Sequence, residues 1–202
     1  MKQYPSIKTK WEPGLVYWVF DKLDGSNIRA EWSAKSGFYK FGSRKILLSE
    51  THPNFGKAIG LIRQQEGALA EQLAKLKVDK AVLYFEFFGS KSFAGFHEDL
   101  DNHRCVLIDV DLGGKGQMDP EDFIQAFTGS VELPRLLYQG ELYEGFVEAI
   151  RSGKQQGMTF EGVVCKSKKP SKWLPPHMCK IKNEAWIKAV IAKHGANSHS
   201  LL

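Results

Sequence analysis

The chain has 202 residues, 43% of them hydrophobic and 25% charged, the balance of a soluble globular protein with a real core and not of a disordered chain. Its longest apolar runs, Leu15–Phe20 and Ala81–Phe88, are strand-length and too short to cross a bilayer. The start of the chain lacks the apolar stretch of a signal peptide, so a cytoplasmic location without membrane contact is expected. A net charge of +5 and a pI of about 9.0 favour an anionic partner such as nucleic acid. The cysteines, Cys105, Cys165 and Cys179, form no CxxC pair and no His/Cys zinc spacing; reduced thiols packed in a core are expected.

In chain order, Leu15–Phe20 reads as a first strand, bounded by Pro13-Gly14 and Asp24-Gly25. Asn27–Trp32 reads as a second, and Ser36-Gly37 as a hairpin turn into Phe38–Phe41. From Phe55 to Leu76 apolar residues recur at three- and four-residue spacings, a helical pattern that Gly67 is placed to break. Ala81–Phe88 and Val106–Val110 are β-rich. Asp119-Pro120 reads as an N-cap followed by proline at the first helical position, opening a helix to Phe127.

Leu142, Phe146, Val147 and Ile150 make one apolar helical face. Gly162–Lys166 and Met178–Lys182 are short strands around a Lys/Pro-rich loop, and Glu184–Lys193 is a final amphipathic helix before a tail expected to fray. Strands and helices do not alternate regularly. The expected class is therefore α+β, one module of mainly antiparallel sheets with flanking helices.

Lys22 stands just past the first buried strand, in Lys22-Leu23-Asp24-Gly25-Ser26-Asn27. A lysine amine is a nucleophile only when neutral, and burial or nearby cations favour that form. Alone, a solvated lysine beside a turn is the simpler reading. Other segments add weight. Ser43-Arg44 follows the hairpin, and Glu86 sits inside an aromatic strand, where a carboxylate is costly unless paired or facing a cleft. Then come Glu161-Gly162-Val163-Val164-Cys165-Lys166 and Lys180-Ile181-Lys182. On a strand Lys180 and Lys182 project to one face, with Cys179 and Ile181 on the other. Two adjacent lysines there need either solvent or anions to face.

In that order, these segments resemble the signature set of the covalent nucleotidyltransferases: DNA ligases, RNA ligases and mRNA capping enzymes. The set comprises KxDG, an SR pair, a glutamate in an aromatic strand, EGxVxK and KxK. The resemblance runs from Lys22 to Lys182, and the Ser26-Asn27 ending is most similar to the RNA ligase branch, near the second-type RNA ligases. It implies an ATP-dependent RNA ligase in which Lys22 attacks the α-phosphate of ATP and becomes adenylylated. By the same resemblance Arg44 contacts phosphate, Glu86 holds the ribose hydroxyls, and Glu161 helps bind Mg²⁺ or Mn²⁺. Lys180 and Lys182 meet the α-phosphate. Asp24 and Asn27 position the lysine or contact ribose or polynucleotide, and Lys166 is a further phosphate ligand. RNA is the implied partner.

The pattern has departures. The family stacks an aromatic on adenine from the segment that here reads Cys105-Val106-Leu107-Ile108-Asp109-Val110, so an aliphatic side chain is expected to cover the base. Glu161 and Lys166 would point to opposite faces of a regular strand unless Gly162 bulges or Glu161 precedes the strand. About twenty residues follow Lys182, enough for one helix. The resemblance therefore implies a minimal ligase, a truncated form, or a module completed by a partner subunit that supplies a second domain. The alternatives are a DNA ligase, a GTP-using capping enzyme core, or a nucleic-acid-binding module that keeps the fold without turnover. Lys168, Lys169, Lys172 and Trp173 read as a solvated loop first and as a nucleic-acid contact second. His97, His103 and His177 lack metal spacing.

Overall fold

Ile28, Ala30 and Trp32 alternate with Asn27, Arg29 and Glu31, and the period of two turns the first set into a core and the second onto the opposite face of a sheet. A computed structural model describes residues 2–98, 100–171 and 174–200; Lys172 and Trp173 of the basic loop lie outside them. The class is α+β, with two antiparallel sheets among the described residues. The chain divides into two compact units. One is built on Gly25–Leu133 and takes in residues up to Pro5; the other is built on Ser6–Asp24, Pro134–Lys169 and the residues from Pro176 onward.

The first unit holds strands β2 (Ser26–Ser33), β3 (Gly37–Ser43), β4 (Leu47–Leu48), β5 (Lys80–Phe88) and β6 (Arg104–Asp111) in the order β4-β3-β2-β5-β6. Helices α1 (Gly56–Gln64), α2 (Glu66–Lys75) and α3 (Pro120–Phe127) cover one face. Ile59, Ile62, Leu69, Leu73, Phe123 and Phe127 pack there against Ile28, Leu83, Phe85, Phe87 and Leu107. Each such side chain, buried, contributes about 1.5–3 kcal/mol over leaving it exposed.

The predicted long helix is two, and the break falls at Gln65. Gly67 lies inside α2. The Gln65 side-chain amide donates to the carbonyls of Leu61 (3.2 Å) and Cys105 (3.0 Å). It thereby ties the chain to β6 at the point where the helical ladder is interrupted.

The second unit contains β1 (Val16–Asp21), β7 (Leu136–Glu141), β8 (Gly162–Ser167) and β9 (Met178–Lys182) in the order β7-β1-β8-β9. Helix α4 (Glu144–Arg151) lays Phe146, Val147 and Ile150 on Tyr17, Val19, Val163, Cys165, Cys179 and Ile181. Helix α5 (Glu184–His194) follows β9, capped by Asn183, whose side chain accepts from the Ala185 N–H at 2.9 Å. The three cysteines are buried free thiols.

Neither β4 nor β7 was expected from the sequence. The first has two residues, and β7 buries none of its side chains, so its pattern carries no apolar alternation. The tail from Gly195 winds into a 3₁₀ turn through Ser200 where fraying was expected. No helix among the described residues is long and apolar enough to cross a membrane.

Candidate active site

The backbone at Lys22 is held from three sides within the second unit. Asp21, 3% exposed at the end of β1, accepts the Thr159 N–H at 2.7 Å and the Thr159 hydroxyl at 2.9 Å. Its other oxygen takes Arg135 Nη2 at 3.2 Å. The Thr159 hydroxyl also reaches the Lys22 carbonyl at 3.2 Å, and the Lys22 N–H donates to the Gly162 carbonyl at 2.9 Å. A buried aspartate is satisfied this way, and the residue after it is fixed in place.

The Lys22 ammonium meets Glu161 Oε2 at 2.8 Å, and Lys182 Nζ meets Glu161 Oε1 at 3.2 Å. One buried carboxylate therefore faces two lysines, one from the KxDG segment and one from KxK. Glu161 can do this because it precedes β8 instead of lying in it. Gly162 makes the entry possible: its φ is +136°, and a Cβ there would stand 2.2 Å from the Ile181 carbonyl oxygen. Of the two ways to reconcile Glu161 with Lys166, the structure takes the second, with Glu161 ahead of the strand. The Asn183 N–H closes the arrangement on the Glu161 carbonyl at 3.0 Å.

The face of this sheet opposite its core is cationic and aromatic. Register pairs Trp18 with Lys166, Phe20 with Val164, Val164 with Lys180, and Gly162 with Lys182. Alternation then puts Trp18, Phe20, Lys166, Lys180 and Lys182 on one face, while Cys179 and Ile181 join the core. Lys166 Nζ lies 5.4 Å from the Phe20 ring centroid and Lys168 Nζ 5.6 Å from that of Trp18. Burial brings the Lys182 ammonium down to about 8; the Glu161 charge opposes the fall, and the Lys22 and Lys180 charges add to it. Asp24 accepts a hydrogen bond from the Trp186 indole at 2.6 Å.

Six of the nine residues singled out in the sequence, Lys22, Asp24, Glu161, Lys166, Lys180 and Lys182, thus belong to one unit. Asn27, Arg44 and Glu86 belong to the other. There, Asn27 and Glu86 are cross-strand partners on β2 and β5, and Val106 of β6 lies on the far side of Glu86. Their face continues through Arg29, Tyr84 and Asp109. Tyr4 donates to Asp109 at 3.1 Å and packs on Tyr84, and Lys2 pairs with Asp111. Ile108, within the Cys105–Val110 segment, is half-buried and is the extra residue of a bulge between β5 and β6. Arg44 is exposed, in the turn that closes when the Ser43 N–H donates to the Ile46 carbonyl at 2.9 Å.

Magnesium and manganese ions are held by oxygen ligands, typically one or two carboxylates with water and substrate phosphates completing the shell. Among the described residues no group of three His, Cys, Asp or Glu side chains could hold an ion. Glu161 brings a single carboxylate whose two oxygens both face ammonium groups. That donor set fits an ion that arrives with phosphates, shared between them and Glu161, and not one bound by the protein alone.

Asp21, Thr159, Asn183 and Trp186 escaped the sequence reading. Asp21 carried a signal, a carboxylate closing an apolar strand. Trp186 carried another, an aromatic one helical turn beyond Lys182. Thr159 carried none.

Comparison with known proteins bears on these residues as a set. No protein of curated function matches the sequence. Three structures of Naegleria gruberi RNA ligase are similar in fold. One lysine-to-alanine mutant, with ATP and Mn, is 18% identical with a TM-score of 0.63, covering 88% of this chain and 52% of that one. A second such mutant, also with ATP and Mn, is 19% identical with a TM-score of 0.64, over 93% and 59%. The form with PPi is 21% identical with a TM-score of 0.63, over 90% and 52%. The present chain thus spans little more than half the length of these structures. The family model described as RNA ligase matches residues 15–190, a span from the first strand into α5 that includes every candidate residue above, and the chain belongs to the RNA ligase family.

Proposed function

We propose that the chain is the nucleotidyltransferase module of an ATP-dependent RNA ligase acting in the cytoplasm. Three transfers make up the reaction. The neutral amine of Lys22 attacks the α-phosphorus of ATP; a P–N bond forms, the bond to the β-phosphate oxygen breaks, and pyrophosphate leaves. AMP then passes from Lys22 to an RNA 5′-phosphate. Attack by a 3′-hydroxyl closes the phosphodiester and releases AMP. The observation that carries this reading is the pairing of Lys22 and Lys182 on one buried glutamate, Glu161, inside the family match.

The roles follow from charge and reach. Lys180, Lys182 and Lys166 offer cations on one sheet face to phosphate oxygens, where preorganised charge is worth most in the transition state. Arg44 offers a planar fork of donors to phosphate. Glu86 accepts from ribose hydroxyls, and Asn27, its cross-strand neighbour, contacts ribose or polynucleotide. Asp24 orders the turn after Lys22. A divalent cation, Mg²⁺ or Mn²⁺, would be held by Glu161 together with the phosphates and would offset their charge.

The test is covalent labelling. The chain is incubated with α-labelled ATP or GTP and Mg²⁺, then run on a denaturing gel. Label from ATP that disappears in Lys22→Ala, with the fold intact by circular dichroism, is expected. Wild-type labelling retained in Lys22→Ala, or labelling from GTP alone, defeats the proposal.

A further inference from the structure

Trp186 is 1% exposed. A buried indole brings a polar edge and a π face, and each needs a partner. Its edge donates the Nε1–H to Asp24 Oδ2 at 2.6 Å. Its face carries the Lys182 ammonium, 4.1 Å from the ring centroid. A single rigid plane therefore touches both the segment that bears Lys22 and the KxK strand.

From these contacts we propose that Trp186 is a positioning residue, clamping Asp24 of the KxDG turn to Lys182 so that Lys22 and Lys182 keep one relative geometry. This rests on the ligase reading above and goes beyond it by naming a residue outside the motifs.

The chemistry calls for tryptophan in particular. The indole combines a π face that attracts a cation with an edge N–H that donates and cannot accept. Phenylalanine keeps the face and loses the donor; leucine loses both. The ring is aimed from α5, and the start of α5 is itself tied down. The Asn183 side chain caps the helix on the Ala185 N–H, and the Asn183 N–H donates to the Glu161 carbonyl at 3.0 Å. Lys182 thus has Glu161 Oε1 at 3.2 Å in addition to the Trp186 ring. Two such contacts set the direction of the ammonium as well as its distance. Asp24 is an acceptor held by a short hydrogen bond, so the loop after Lys22 is referenced to the same helix.

Single-turnover adenylylation by the full chain tests the clamp. Wild type, Trp186→Phe, Trp186→Leu, Asp24→Ala and the Asp24→Ala/Trp186→Phe double mutant are compared across ATP concentrations, with thermal melts on each. Misplacing reacting groups by about an ångström can cost about 10²-fold. The maximal rate is accordingly expected to fall about tenfold in Trp186→Phe and about a hundredfold in Trp186→Leu. Half-saturating ATP should stay within about twofold, and the double mutant should be no slower than Asp24→Ala, because both changes cut one contact.

A Trp186→Phe rate equal to wild type after correction for folded fraction overturns the proposal. So do losses that simply add in the double mutant. If wild type itself is not labelled by ATP, the ligase reading fails, and the clamp is judged by a readout that needs no turnover. The ¹⁵N-indole resonance of Trp186, identified by its loss in Trp186→Phe, should move in Asp24→Ala; a resonance that stays put overturns the clamp.

Discussion

The Lys22 ammonium lies 2.8 Å from Glu161 Oε2. A lysine so paired is a cation, and a cation cannot attack phosphorus. In the proposed reaction the contact precedes chemistry; the amine would give up its proton and turn from Glu161 toward a phosphate. Lys182, on the other oxygen of the same carboxylate, would remain to meet the charge that builds up there.

From this pairing, Glu161→Ala and Lys182→Ala should each slow adenylylation by about 10²–10³-fold, the usual loss when one preorganised electrostatic contact is removed. Glu161→Ala should also lower the melting temperature, since it leaves two lysine ammonium groups close together without their shared anion. Rates from single-turnover labelling, together with melting curves, check both. Mutants that label within about twofold of wild type remove these roles.

Gly162 gives a backbone prediction. With φ at +136° and the Ile181 carbonyl oxygen 2.2 Å from where a Cβ would stand, Gly162→Ala has to distort the start of β8 and move Glu161. A loss of stability of roughly 1–3 kcal/mol is expected, with a larger loss of adenylylation than the fall in folded fraction explains. Melting and labelling on the same preparation separate the two. A Gly162→Ala protein that melts and labels like wild type shows that the strand entry is not constrained.

His97 predicts acid sensitivity in the other unit. Its Nε2 lies 2.9 Å from Ser26 Oγ and its Nδ1 2.8 Å from Ser92 Oγ, among the rings of Phe87, Phe55 and His103. Burial, helped by His103 and opposed by Asp101, brings its pKa down from 6.5 to about 4. Between these values the unfolded chain takes up a proton that the folded chain refuses. Stability from this group is full above pH 6.5 and falls as the pH drops toward 4. For a half-buried ring, discounted for solvent screening, the loss at pH 5 is on the order of 1 kcal/mol, or roughly 2–4 °C. Melting temperatures of wild type and His97→Gln at pH 7, 6 and 5 test this. The gap between them should narrow on acidification, and a gap independent of pH counts against it.

The polynucleotide steps make the last prediction. RNA 3′-ends should be sealed faster than DNA 3′-ends, since a ribose 2′-hydroxyl is what a protein can read to tell them apart. With a net charge of +5 the chain has only a modest excess of positive charge to set against the phosphate backbone. Joining should therefore fall more steeply with salt than adenylylation, because it needs polynucleotide docking as well as ATP. Rates of both steps from low to physiological salt, on nicked duplexes with ribo- or deoxynucleotide 3′-ends, decide it. Faster sealing of the all-DNA nick, or equal salt slopes, goes against this account.

The sequence by itself determined most of the elements and the facing of their side chains. Period-two alternation placed Lys180 and Lys182 together, opposite Cys179 and Ile181, and that arrangement is local to one strand. The order of motifs along the chain was likewise readable without coordinates. Tertiary structure decided what depends on partners distant in sequence. The helix breaks at Gln65 and not at Gly67 because a side-chain amide reaches β6, a bond that no local propensity encodes. β7 exists because β1 pairs with it, not because its own residues alternate. Glu161 lies ahead of β8 because Gly162 must clear the Ile181 carbonyl on β9. Trp186 shows the same dependence: its place in an amphipathic helix was legible, but its hydrogen bond to Asp24 and its stacking under Lys182 arise only when α5 docks beside the turn after β1.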